Sequence, residues 1–227
     1  MSDLKLYSYD ACPFAQRTRM VLAEKHIDFD LLEVDVNNKP ANWQEISPYG
    51  KVPVLRHGDT SVYESTIVNE YLDEVFPEPP LMPDGAAARA RARIWMDYCE
   101  TRFRPLTTAL VWEREDPDKL ASNIAKLTEV LQFIEHEGLR KLSDGPYWFG
   151  PQVSLVDFQY LPFFERFVLY EHLTGFEWPA DCTRLRAWFK NLCERDSVSP
   201  TLRSLEFHLE KHHRLEAAIA ARRSASS

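Results

Sequence analysis

Four prolines in eight positions, in Phe76-Pro77-Glu78-Pro79-Pro80-Leu81-Met82-Pro83, cut this chain in two. Proline has no backbone N–H to donate and its ring clashes with a preceding helical turn, so no helix or central strand runs through such a stretch. It reads as a stiff, extended connector. The periodicity of the apolar residues differs on its two sides. We therefore place a first domain at residues 1–78, a linker at 79–85 and a second domain at 86–227.

Before the connector, short strand-like runs alternate with helical ones. Leu4–Tyr7, Phe29–Val34, Val52–Leu55 and Ser61–Tyr63 read as strands, the last two as a hairpin around His57-Gly58-Asp59-Thr60. Pro13–His26, Pro40–Ile46 and Glu64–Val75 read as helices. On the first helix Phe14, Val21 and Leu22 fall on one side, and Arg17 and Lys25 on another. The order β-α-β-α-β-β-α calls for a parallel pair with a crossover helix, then an antiparallel hairpin and a covering helix. Beyond the connector everything reads as helix: Ala86–Glu115, with Ile94, Trp95, Tyr98 and Cys99 on one buried face; Leu120–Leu142, with Ile124, Leu127, Leu131 and Ile134; Ser154–Leu169; Leu185–Arg195; and Leu205–Ala221. Residues 222–227 read as a frayed tail. Ser154-Leu155-Val156-Asp157 is a capping box, with Val153 and Phe158 placed for a hydrophobic staple; it is a folding device.

Composition removes several classes of function. The net charge of −8 disfavours a nucleic-acid partner. No apolar run has the length of a membrane span, and the first residues, MSDLKLYSYDACPF, do not read as a secretory signal. The cysteines, at 12, 99, 182 and 193, are too sparse for a disulfide framework. No CxxC pair, HExxH motif or Cys/His cluster has metal spacing, so no metal is expected. Reduced thiols and a cytoplasmic location follow as expectations.

The chemistry concentrates in Tyr9-Asp10-Ala11-Cys12-Pro13-Phe14-Ala15-Gln16-Arg17, between the first strand and the first helix. Proline is tolerated in a first helical turn, which puts Cys12 at the helix start beside free amides and the positive end of the helix dipole. A thiolate is stabilised there, so a lowered pKa is expected. A dithiol oxidoreductase would carry a second cysteine three residues on, where this chain has Ala15. A disulfide formed at Cys12 must then be resolved by an external thiol, in the cytosol usually glutathione. Two further stretches complete the site. In Gly50-Lys51-Val52-Pro53 the backbone of Val52 is placed to pair with an extended peptide, although alone the stretch reads more simply as a turn into a strand. In Tyr63-Glu64-Ser65-Thr66 the Ser65 hydroxyl and the amides after it suit a carboxylate, and Glu64 an ammonium group; alone it reads equally as an ordinary cap.

The run CPFAQRTR, then NNKP, GKVPVL and YESTIVNEYLDEVFP, resembles the cytosolic glutathione transferases, most closely the cysteine-type omega class, along essentially the whole chain. The resemblance implies an α/β thioredoxin-like N-terminal domain, an all-α C-terminal domain, a homodimer, and a cis peptide before Pro53. It implies that glutathione is the cosubstrate, that Cys12 is the reactive thiol, and that Phe14, Lys39, Lys51, Val52, Pro53, Glu64 and Ser65 surround the tripeptide. Lys39 would reach the glycyl carboxylate, Val52 the cysteinyl backbone, and Glu64 and Ser65 the γ-glutamyl end. Other classes hold the glutathione thiolate with a hydroxyl, for which Tyr7 and Ser8 rank below Cys12.

The activity so implied is thiol–disulfide exchange: reductive deglutathionylation or dehydroascorbate reduction through a Cys12–glutathione mixed disulfide. A second substrate is expected between the domains, against a wall that includes Phe103, Leu106 and Trp112, although each of these reads more simply as core. Three alternatives stand beside this one. They are a transferase on aromatic electrophiles that conjugates or cleaves ethers, a non-catalytic binding protein on the same scaffold, and a relative of the intracellular chloride channels. The helix after Cys12, with Arg17, Arg19, Glu24 and Lys25, is too short and charged to cross a bilayer.

Overall fold

A computed structural model of the chain describes residues 3–35 and 38–225. The N-terminal part runs β1 (Leu4–Ser8), α1 (Pro13–Glu24), β2 (Asp30–Glu33), α2 (Trp43–Ile46), β3 (Val54–His57), β4 (Thr60–Tyr63) and α3 (Ser65–Val75). The strands form one sheet in the order β2-β1-β3-β4. β1 pairs in parallel with β2, with Leu6 opposite Leu31, and antiparallel with β3, with Leu6 opposite Leu55. β3 and β4 close the hairpin with His57 opposite Thr60. Leu4, Leu6 and Leu55 of the sheet share one buried core with Met20, Val21 and Leu22 of α1 and Val68 and Leu72 of α3. This is the predicted α/β layer, and it brings the C-terminal end of β1 and the start of α1 to the rim of the sheet.

Arg17 and Lys25 are not on a solvated side of α1. Both are buried, because the second domain and the connector cover them. Lys25 donates to the carbonyls of Phe76 and Pro79, each at 2.7 Å, and pairs with Asp73 at 2.8 Å. Asp73 in turn accepts from the amides of Leu81 and Met82. These bonds fix the connector as it leaves α3. The peptides before Pro53 and Pro79 are both cis.

The helical part comprises α4 (Ala86–Tyr98), α5 (Arg104–Trp112), α6 (Pro117–Phe133), α7 (Leu155–Glu165), α8 (Phe167–Thr174), α9 (Thr183–Cys193) and α10 (Leu205–Ala225). Two expected long helices are interrupted. Between α4 and α5 the residues Cys99–Phe103 form a π-helical turn. Pro105 follows in the first turn of α5; it has no N–H to offer the preceding turn, so the ladder widens there. The second π-helical stretch, Ile134–Arg140, ends α6 around Gly138. A Cβ on Gly138 would lie 3.1 Å from the Trp148 ring and 3.2 Å from that of Trp95, a tight fit that glycine relieves where the two indoles close over this turn. α10 continues to Ala225, into the stretch expected to fray.

The core of this half is aromatic. Phe103 stacks on Phe164 at 4.9 Å, Tyr160 on Trp148 at 4.6 Å, and Trp188 stands edge-on to Phe164 at 5.2 Å. The capping box is present as predicted. The Ser154 amide and hydroxyl both donate to Asp157 Oδ2, and the Trp148 amide and Trp188 indole donate to Oδ1. Ile94, expected on the buried face of α4, is exposed; Ala92, Trp95, Met96 and Cys99 face the core instead. No helix of the described residues is long and apolar enough to cross a membrane.

Candidate functional site

Cys12 is the N-cap of α1, with extended backbone (φ −80°, ψ 117°). Its carbonyl accepts from the Gln16 amide and its own amide donates to Tyr9. This small turn presents the half-buried sulfur to the Val52 carbonyl, to which Sγ donates at 3.7 Å, a long contact even for sulfur. Two clefts meet around it. Val52 belongs to the smaller, with Phe14, Lys51, Pro53, Glu64 and Ser65. Ala11 and Pro13, on either side of the cysteine, face the larger, a cleft of about 790 Å³ between the domains.

The expected lowering of the Cys12 pKa is not found. Burial strips water from the anion and raises the pKa; the Ala15 and Phe14 amides at the helix start, and then the charges of Arg166 and Arg19, lower it by less. The helix start acts on the sulfur as reasoned from sequence, and desolvation outweighs it. Neither arginine of α1 serves as a free charge beside the thiol. Arg19 ties down the loop before Cys12 through Ser8 Oγ (2.7 Å) and the carbonyls of Tyr9 and Asp10. With Ser8 buried and engaged, and Tyr7 packed edge-on against Trp43 at 5.9 Å, neither of these hydroxyl residues lines either cleft.

The residues expected around glutathione are brought together from three segments, with one exception. Phe14 comes from α1, Lys51, Val52 and Pro53 from the turn into β3, and Glu64 and Ser65 from the start of α3. The Lys51 backbone is fixed by Ser47, whose hydroxyl accepts from the Lys51 amide at 2.9 Å and donates to its carbonyl at 2.7 Å. Glu64 caps α3 with φ +67°, a conformation that costs a residue with a Cβ ~1–2 kcal/mol and recurs at ligand sites. Ser65 Oγ accepts from Arg17 at 3.2 Å, which leaves its own proton free for a carboxylate. Lys39 is the exception. It is exposed and does not line the cleft; its ammonium donates to the Gly50 carbonyl at 2.7 Å. Asn37, in the same motif, lies outside the described residues.

Arg17 ties this cleft to the second domain. Its side chain is 1% exposed, pairs with Glu100 at 2.7 Å and donates to the Gln159 carbonyl at 2.9 Å. Its guanidinium lies 5.1 Å from the Phe14 ring and 5.0 Å from that of Phe163. The π-helical turn after α4 carries Glu100 into this contact.

The second-substrate wall differs from expectation. Trp112 lines the larger cleft, its ring tilted against that of His212 of α10 at 5.4 Å. Phe103 does not; it is wholly buried in the aromatic core. Leu106 packs against that core rather than lining the cleft, being six residues from Trp112, more than a turn and a half away on the helix. The actual walls include Phe14, Arg104, Val111, Phe163, Arg166 and Leu169, roofed by His208, Lys211 and Leu215 of α10. Sequence alone carried no signal for the roof, since a C-terminal helix reveals nothing of where it docks. Tyr49 and Tyr63, whose rings meet at 4.9 Å in the smaller cleft, were likewise not anticipated; their neighbours Gly50 and Glu64 were the available clue.

The profile "Glutathione S-transferase, N-terminal domain" matches residues 6–80, and "Glutathione S-transferase, C-terminal domain" matches residues 115–191. The chain belongs to the glutathione S-transferase family. "Glutathione S-transferase U25" of Arabidopsis thaliana is 35% identical over 191 residues, covering 83% of this chain and 84% of the relative. Among solved structures, the Tau class transferase of mango, Mangifera indica, superposes with a TM-score of 0.86 at 26% identity, over 93% of this chain and 97% of that one. Glutathione transferase Omega 3C of Trametes versicolor superposes with a TM-score of 0.83 at 30% identity, over 96% and 93%. The thioredoxin-like sheet and the helical domain are thus those of the glutathione transferase fold, and glutathione is the cosubstrate of the family. The omega-like class expected from the motifs is not confirmed, since the likeness to Tau class transferases is the greater.

Proposed function

We propose that this transferase works by thiol exchange, with Cys12 carrying the glutathionyl group. The observation that carries the proposal is the sulfur's place, at the head of α1 between Ala11 and Pro13 of the larger cleft and beside Val52 of the smaller, facing the Phe14 and Ala15 amides and the Val52 carbonyl. Phe14, Lys51, Val52, Pro53, Glu64 and Ser65 would hold glutathione, with Lys39 reaching it from outside the cleft.

The reaction on a glutathionylated substrate, R–S–S–G, runs in two displacements. The Cys12 thiolate attacks the glutathione sulfur and expels R–S⁻, which takes up a proton, leaving Cys12–S–S–G. A glutathione thiolate then attacks the bound glutathione sulfur, releasing oxidised glutathione and the Cys12 thiolate. One substrate thiol is freed for each glutathione consumed. Dehydroascorbate reduction would proceed through the same mixed disulfide. A homodimer, a cytoplasmic location and the domain division at residues 78 and 86 belong to this reading; the exposed Ile67 and Ile94 on α3 and α4 offer an apolar face for a partner.

Incubation with oxidised glutathione should add one glutathionyl group, removed by reductant and mapped to Cys12 by intact and peptide mass. The Cys12→Ser variant should take none and should lose thiol-transferase turnover. Full turnover in that variant would overturn the proposal. One observation favours a second reading. A thiol whose pKa is raised keeps its proton and donates it, so Cys12 would hold the glutathione thiolate for conjugation to an electrophile. In that case Cys12→Ser, which keeps a donor, retains conjugation.

A further inference from the structure

The larger cleft has an uneven distribution of committed charge. Its carboxylates are engaged. Asp10 pairs with Arg203 at 2.7 Å, Glu33 accepts from the Asp10 amide, and Asp35 has an interaction of its own. Two of its cations are engaged as well. Arg166 donates to Gln16 Oε1, the Pro162 carbonyl and the Ala11 carbonyl, and Arg214 pairs with Glu210 at 2.7 Å.

Arg104 differs. Only its Nε finds an acceptor, Glu100 Oε2 at 2.9 Å, and among the described residues both terminal nitrogens have none. Glu100 is already the partner of the wholly buried Arg17, so a single carboxylate faces two guanidinium groups, with one positive charge in excess. Arg104 stands 5.9 Å from the Phe14 ring, two residues from the sulfur, with about a third of its side chain exposed. Across the cleft Lys211 likewise has no paired carboxylate among the described residues; its ammonium lies 5.1 Å from the Phe207 ring. Between these cations the wall is apolar and partly aromatic, formed by Phe163, Val111, Trp112 and Leu169.

We infer that the second substrate is a flat, largely apolar molecule bearing a carboxylate or sulfonate, and that Arg104 selects it by pairing with that anion. A guanidinium with two parallel N–H groups free is matched to a two-oxygen anion, and a partly enclosed site strengthens the pair beyond its worth in open water. The ring of such a substrate would lie against Phe163 and Trp112, with its anion at the Phe14 end of the cleft. This inference rests on the larger cleft being the second-substrate site of the proposed transferase, and it names the substrate class.

The test is binding of 4-nitrobenzoate and of its neutral isostere 4-nitrobenzamide to the full chain saturated with glutathione, by calorimetry at low and high salt. The anion should bind tenfold or more tightly than the amide, with the preference shrinking as salt rises. Arg104→Gln should abolish the preference, weakening the anion tenfold or more relative to the amide; Arg104→Lys should restore part of it. Lys211→Gln serves as the second variant and should reduce the preference by severalfold at most. Equal affinities in the unmodified protein, or a preference that survives Arg104→Gln, would overturn the inference, as would its complete loss in Lys211→Gln with Arg104 intact. No turnover is needed for this readout. A preference seen in a protein that never forms the Cys12 mixed disulfide would therefore overturn the thiol-exchange reading alone.

Discussion

Cys12 and Arg17 lie five residues apart, one at the head of α1 and the other buried within it. For Cys12, loss of water raises the thiol pKa against the pull of the helix-start amides. A raised pKa means a smaller thiolate fraction at every pH than an ordinary thiol has, for which the midpoint is about 8.5. Alkylation of Cys12 by iodoacetamide, followed by peptide mass, should therefore keep accelerating with pH through that value, with no plateau near neutrality. A plateau below pH 7 would show the helix amides winning after all. Around the buried Arg17 guanidinium, Glu100, the Gln159 carbonyl, Ser65 and two aromatic rings take the place of water. Arg17→Gln should cost about 2–3 kcal/mol, read as a lower denaturant midpoint at unchanged slope. That is less than the ~3–5 kcal/mol of a fully buried pair, because Glu100 is partly exposed and retains Arg104. The same variant should weaken glutathione binding, since Ser65 loses the donor that orients it.

Among the elements, α7 shows what local sequence can and cannot say. Its capping box was legible because the partners are three residues apart and the geometry follows from the first turn alone. The structure adds partners that spacing could not reveal: the Trp148 amide and the Trp188 indole, both on Asp157 Oδ1. Asp157→Ala therefore loses more than a cap, worth ~1 kcal/mol, because two buried donors are orphaned at about 1 kcal/mol or more each. A loss of about 3 kcal/mol is expected in chemical denaturation, with a changed near-ultraviolet dichroism from the two tryptophans. The same contrast explains the rest of the comparison between sequence and structure. The strands, the connector and the meeting of Phe14, Val52 and Ser65 were readable because each rests on a short motif within a familiar order of elements. The π-helical turn that delivers Glu100, the burial of Arg17 and Lys25, the place of Phe103 in the core and the exposure of Ile94 depend on what packs against each helix from far along the chain.

At the scale of the whole molecule, the junction of the two domains with the C-terminal helix passes through one carboxylate. Glu165, at the end of α7, accepts from Gln16 of α1 and from the Arg203 amide before α10, and faces His208 of α10 at 3.3 Å and Arg166 at 3.6 Å. Burial by itself would raise its pKa; the hydrogen bond from His208, the charge of Arg166 and the hydrogen bond from Gln16 outweigh burial and leave it lowered. A carboxylate with a lowered pKa in the folded state contributes stability that is present above the unfolded value, about 4.3, and is lost as pH falls through the folded one. Glu165→Gln removes that contribution while keeping the shape. Thermal melts should therefore show the variant well below the unmodified protein at pH 6, with the gap closing as pH is taken from about 4.3 toward 3. A gap that stays constant over that range would mean that Glu165 holds the three segments together by shape and neutral hydrogen bonding, and that its charge contributes nothing to the docking of α10 over the cleft.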